Sequence, residues 1–99
     1  MRDRAEYERA FQIVGQVIRD WDPYGLLESG APVDEFDTEI SLLVSRVPRM
    51  TSEALAAQAV SEVFSARFEP ERFPPDACAE PGRELFARLA SADLLVGAA

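Results

Sequence analysis

Histidine, lysine and asparagine are absent from these 99 residues, and cysteine occurs once, as Cys78. Each gap removes a class of chemistry. Without histidine there is no Ser–His or Cys–His nucleophile pair and no imidazole ligand for zinc. One cysteine makes neither an internal disulfide, nor a thiolate metal site, nor a redox pair, and it favours a reducing compartment. Cys78 also sits among neutral and acidic neighbours, whereas a reactive thiol needs an electropositive setting. The five glycines form no GxGxxG or GxxxxGKS/T string, so the usual phosphate cradles are missing. No apolar run approaches the ~20 residues that span a bilayer. The opening Met-Arg-Asp-Arg-Ala-Glu lacks the apolar stretch of a secretory signal. These gaps predict a cytoplasmic protein that is not an enzyme, needs no cofactor and does not associate with membranes. Carboxylate-only catalysis stays open in principle, because paired acids can act as acid and base.

Every base is an arginine and alanine is abundant, the composition of a GC-rich bacterial genome. Eighteen acids against ten bases give a net charge of −8. Nucleic acid and anionic lipid repel such a chain, since affinity there comes from neutralising phosphates. A basic protein is the partner that this charge fits, and a homo-oligomer stays open. The 47% apolar content suffices for one folded domain over residues 1–99.

The apolar spacing predicts an all-α fold, a small bundle of three long helices with a short capped helix and a shorter C-terminal helix. Tyr7, Ala10, Phe11, Val14, Val17, Ile18 and Trp21 recur at 3.6-residue spacing. Ile13 widens that stripe until it can face two neighbours. Asp22-Pro23 reads as an N-cap followed by proline at the first helical position, and Gly30 as a left-handed C-terminal cap. Leu26 and Leu27 of the short helix between them are then free to plug the core. The second long helix is expected from Asp34, with Phe36, Ile40, Leu43, Val44 and Val47 inward and Pro48 ending it. Thr51 or Ser52 caps the third, whose buried face is Leu55, Ala56, Ala59, Val60, Val63 and Phe64. Small Ala56 and Ala59 would admit a neighbouring helix closely. Pro70, Pro74, Pro75 and Pro81 make 70–81 an extended connector between a core of about 3–69 and a helix of about 82–93. The tail from Val96 is expected to fray.

The acids are not evenly spread. Residues 20–45 hold Asp20, Asp22, Glu28, Asp34, Glu35, Asp37 and Glu39 and no arginine, nearly the whole of the net charge. Capping accounts for part of this, since carboxylates in a first turn favour the helix dipole by ~0.3–1 kcal/mol each. Two sharper readings stand beside it. In one, the acidic side recognises a basic protein, with Asp34, Glu35 and Asp37 steering the encounter and Tyr24 as an aromatic anchor. In the other, Asp22, Asp34 and Asp37 converge on Mg²⁺ or Ca²⁺, serving a small phosphorylated ligand, although the spacing is not that of an EF-hand. Trp21, at the end of an apolar stripe, reads as a packing residue.

The string Trp21-Asp22-Pro23-x-Gly25-Leu26-Leu27, followed by Gly30-x-Pro32-x-Asp34-Glu35-Phe36-Asp37-x-Glu39-Ile40, resembles a family of small bacterial helical proteins of unknown function. That family carries a WDPxGLL…GxPxDEYDxEI signature, with Phe36 here in place of its tyrosine. The resemblance runs from about Phe11 to Phe68 and implies that the WDP turn and the following helix start form one unit. It implies no activity. The expected function is a non-enzymatic protein-interaction module of immunity, antitoxin or adaptor type.

Overall fold

A long amphipathic helix, α1 (Arg4–Trp21), opens the computed structural model, which describes residues 4–95. It buries Ala10, Val14, Val17 and Ile18, and lays Phe11, Ile13 and Trp21 against the same core. Three further α-helices follow: α2 (Asp37–Arg46), α3 (Glu53–Arg67) and α4 (Ala79–Ser91). Every regular element among the described residues is helical. No helix of the described residues is long and apolar enough to cross a membrane. Val96–Ala99, expected to fray, lie outside the described residues, as does Asp3 at the start of the expected core.

The helix lengths differ from expectation. Helix α2 has 10 residues and α4 has 13, so the C-terminal helix is the longer of the two. Residues 33–36 form a turn instead of the start of α2: Glu35 N–H donates to the Pro32 carbonyl and Asp37 N–H to that of Asp34, each at 3.0 Å. The reason is Phe36, which is fully buried and occupies the N-cap position of α2. Sinking that ring fixes how the chain enters the helix, and the tight turn before it follows. At the other end of α2, a 3₁₀ turn at Val47–Arg49 delivers Met50 to the core.

Helix α3 is the central element, packed against α2, α4 and the two 3₁₀ turns between α3 and α4. Ser52 is its cap, accepting from Leu55 N–H at 3.1 Å. Ala56, Ala59, Val60, Val63 and Phe64 are buried, but Leu55 is 42% exposed and Ala57 is buried in its place. Ala57 faces Gly82 of α4. A Cβ on Gly82 would lie 2.6 Å from the Ala57 backbone, so α3 and α4 approach closely through this pair, while Ala56 and Ala59 are also buried.

The segment after α3 is more ordered than its four prolines suggest. Two 3₁₀ turns, Pro70–Arg72 and Pro75–Cys78, fold residues 70–78, and α4 starts at Ala79, three residues before the expected start. Pro81 is tolerated there because N–H groups of a first turn have no intrahelical acceptor to lose. Between the turns, Phe73 is buried and its carbonyl accepts from the Ser61 hydroxyl. The core accordingly extends beyond residue 69, taking in Phe73, Cys78, Leu85, Leu89, Leu94 and Leu95.

Candidate interaction surface

The loop from Asp22 to Phe36 is built by its own unusual backbone. Asp22, Tyr24 and Gly25 all have positive φ (46°, 67° and 63°), a region that a bulky residue such as tyrosine rarely enters. These turns bring the Asp22 carboxylate over the chain that follows, where it accepts from Leu27 N–H at 2.9 Å and Glu28 N–H at 3.0 Å. Asp22 therefore does cap, but it caps the second turn and not the Pro23–Gly25 turn beside it. That turn is a three-residue 3₁₀ element, shorter than the expected capped helix. Gly30, at φ 104°, closes the loop: its N–H reaches the Leu27 carbonyl and Ala31 N–H that of Leu26. This paired pattern is the Schellman motif, which needs a left-handed residue at its centre.

Tyr24 is 40% exposed, yet its ring is committed. It lies 5.7 Å from Phe68 and 5.6 Å from Phe73 between centroids, and the Arg72 guanidinium sits 5.5 Å from its centre. Trp21 meets Phe64 at 5.2 Å and Phe73 at 5.9 Å, both edge-on. Trp21 thus packs against the core as expected, and the expected anchor Tyr24 leans on two aromatic rings while staying exposed.

The acidic window looks different in space. Arg19, which precedes it, pairs with Asp37 at 3.3 Å and donates to the Val33 carbonyl. Arg67, 28 residues beyond Glu39, pairs with it at 3.0 Å. The Glu39 side chain is 5% exposed, because position 39 lies three after Phe36 and four before Leu43 on the inward stripe of α2. Of the seven acids, two are thus neutralised by arginines from outside the window, and Asp22 is engaged with backbone. Glu28, Asp34 and Glu35 remain exposed and carry no ion pair among the described residues, as does Asp20. Val33 stands between them at 79% exposure. Elsewhere four acids are matched by arginine, Glu62 by Arg46, Glu80 by Arg83, Glu84 by Arg88 and Glu8 by Arg4, while Glu53, Glu69, Glu71, Asp76 and Asp93 are exposed and carry no ion pair among the described residues. The hydrogen bonds from Arg46 and Gln58 hold the Glu62 carboxyl below its ordinary pKa.

A buried carboxylate with one partly exposed partner predicts an asymmetry. Removing the partner by Arg67→Ala leaves a desolvated charge and is expected to cost ~1–3 kcal/mol. Glu39→Met keeps the volume, removes the charge, and is expected to change stability by less than ~1 kcal/mol. Urea unfolding of both variants measures the contrast. Equal losses would mean that the pair itself, and not the desolvation of Glu39, sets the energy.

Asp22, Asp34 and Asp37 are not gathered as metal ligands. No group of three or more cysteine or carboxylate side chains among the described residues is placed to hold a metal ion. Asp37 is drawn to Arg19, and both Asp22 oxygens face amides. Burial pushes the Cys78 thiol up to about 11, which keeps it protonated at neutral pH.

Among the described residues the fold is all-helical, and this acidic protein carries on its surface a hydrogen-bonded loop with exposed, unpaired acids. Compared with known proteins, the chain matches no family model, no curated protein and no solved structure.

Proposed function

We propose that this small helical bundle is a protein-interaction module, of immunity, antitoxin or adaptor type, whose 22–36 loop receives a basic protein partner. One observation carries the reading. Among the described residues, Glu28, Asp34 and Glu35 lie exposed and unpaired together on one loop held by capping hydrogen bonds, whereas Asp37 and Glu39, the next acids along the chain, are matched by Arg19 and Arg67. First-turn capping does not account for Asp34 and Glu35, since α2 begins only at Asp37. Exposed Val33 offers an apolar contact at the centre of the charged segment. Loop order matters because a pre-formed surface loses less entropy on binding. The likeness of the Trp21–Ile40 string to a family of small bacterial helical proteins agrees with the loop and the start of α2 acting as one unit.

The variant that tests this neutralises Glu28, Asp34 and Glu35 together (to Gln, Asn and Gln), leaving Asp37 with Arg19. For the partner captured from the source cell and then purified, the association rate at low salt is expected to fall by roughly tenfold or more, with a flatter dependence on ionic strength. Unchanged association kinetics and salt response in a folded variant would refute the assignment of the loop.

A further inference from the structure

Trp21 borders a cleft of about 270 Å³ between the end of α1 and the start of α4. Val17, Trp21 and Pro81 give it an apolar lining, and Asp20, Glu80 and Glu84 give it acids. The volume falls below the ~300–1,000 Å³ of small-molecule pockets and suits one inserted side chain. Arg88 also lines the cleft, but its guanidinium is held at 3.1 Å by Glu84, and Glu80 is held by Arg83. Asp20 is exposed and has no such partner, so the cleft keeps an excess of negative charge.

The aromatic faces differ in the same sense. Tyr24 already carries a guanidinium from its own chain, that of Arg72. Among the described residues none lies over Trp21, whose neighbours Phe64 and Phe73 approach at steep interplanar angles of 70° and 79°. Indole is the strongest ring for a cation, and a planar guanidinium combines stacking on it with pairing to a carboxylate. From this charge complementarity we infer that the cleft seats an arginine side chain of the protein partner, stacked on Trp21 and paired with Asp20. The inference rests on the reading of the partner as a basic protein, and it adds the residue that the partner must present.

The test needs only the isolated chain, because Trp21 is its single tryptophan and reports on the cleft directly. Titration with acetyl-Gly-Arg-Gly-amide at low ionic strength is expected to change Trp21 fluorescence saturably. Asp20→Asn should weaken the apparent affinity about fivefold, the effect of roughly 1 kcal/mol. The Glu28, Asp34 and Glu35 variant should leave it within about twofold, which separates this cleft from the loop. Acetyl-Gly-Leu-Gly-amide should give no saturable change. A linear response to the arginine peptide, an equal response to the leucine peptide, or an Asp20→Asn chain that binds as the parent does would each overturn the assignment. Because no partner is present in this titration, saturation with a failed loop test would retain the cleft and reject the loop.

Discussion

Replacing Phe64 with alanine is expected to remove ~3–5 kcal/mol of stability, the usual cost of deleting a fully buried aromatic. The ring has no exposed surface and touches the aromatic residues of four different segments: Trp21 of α1, Phe36 before α2, Phe68 after α3 and Phe73 of the proline-rich segment. Truncation opens a cavity that none of these rings can fill. Trp21 and Phe73 are braced against each other, and Phe36 is fixed by the turn it anchors. For a domain whose whole stability is of order 5–15 kcal/mol, the loss is a large part of the total. Urea unfolding followed by far-UV circular dichroism and by Trp21 fluorescence should show both midpoints falling together. Phe64→Leu, which keeps more of the volume, should fall between the parent and the alanine variant. A loss below ~1 kcal/mol for Phe64→Ala would mean that the aromatic cluster does not organise the core.

The second large effect concerns a single added methyl group. Gly82→Ala should raise helix propensity by ~0.8–1 kcal/mol in an unstrained helix. Here the new Cβ meets backbone atoms of Ala57 at 2.6 Å, and backbone cannot swing aside as a side chain can. Helices α3 and α4 must separate, at ~1–3 kcal/mol for an overpacked contact. The net expectation is a lower melting temperature, by roughly 5–10 °C for a domain of this size. Gly15→Ala provides the control, because its Cβ would meet only the guanidinium end of the Arg19 side chain, which is joined to Asp37 and Val33 by 3.3 Å contacts and can shift where backbone cannot. It should be neutral or stabilising. Scanning calorimetry on the two variants measures the difference, and a higher melting temperature for Gly82→Ala would show that the two helices are free to part.

Elements governed by neighbours in the chain were legible from the sequence. The stripe of α1 is a local pattern, as are the Ser52 cap and the glycine closure at Gly30, and each lies where spacing and residue chemistry put it, except that Tyr7 at the head of the stripe is 39% exposed. What the sequence hid depends on distant contacts. Asp34 looks like a helix start, and Phe36 was expected inward, but that its ring is seated at the N-cap position behind a turn at 33–36 depends on the whole core. The one-signed window stood out because Arg19 lies just before it and Arg67 far beyond it, so counting along the chain missed both ion pairs. Within the candidate site, Asp34 and Glu35 stay exposed and unpaired, Asp37 is paired with Arg19, and Glu28 takes its place. Glu39 was within reach, since it shares the inward stripe of α2 with Phe36 and Leu43. Phe73 was the apolar residue among prolines whose burial turns a connector into core.

The lone thiol of Cys78 is out of solvent between α3 and α4, and burial holds it protonated. Alkylation needs both access and a thiolate, and the closed fold withholds both. The native chain therefore carries its own stopwatch. Each labelling event records an excursion in which the packing of the C-terminal half has come apart, and the rest of the molecule contributes no competing signal. A partner that clamps α1 to α4 would slow that clock without touching the cysteine, so the rate of labelling would measure binding independently of Trp21 fluorescence.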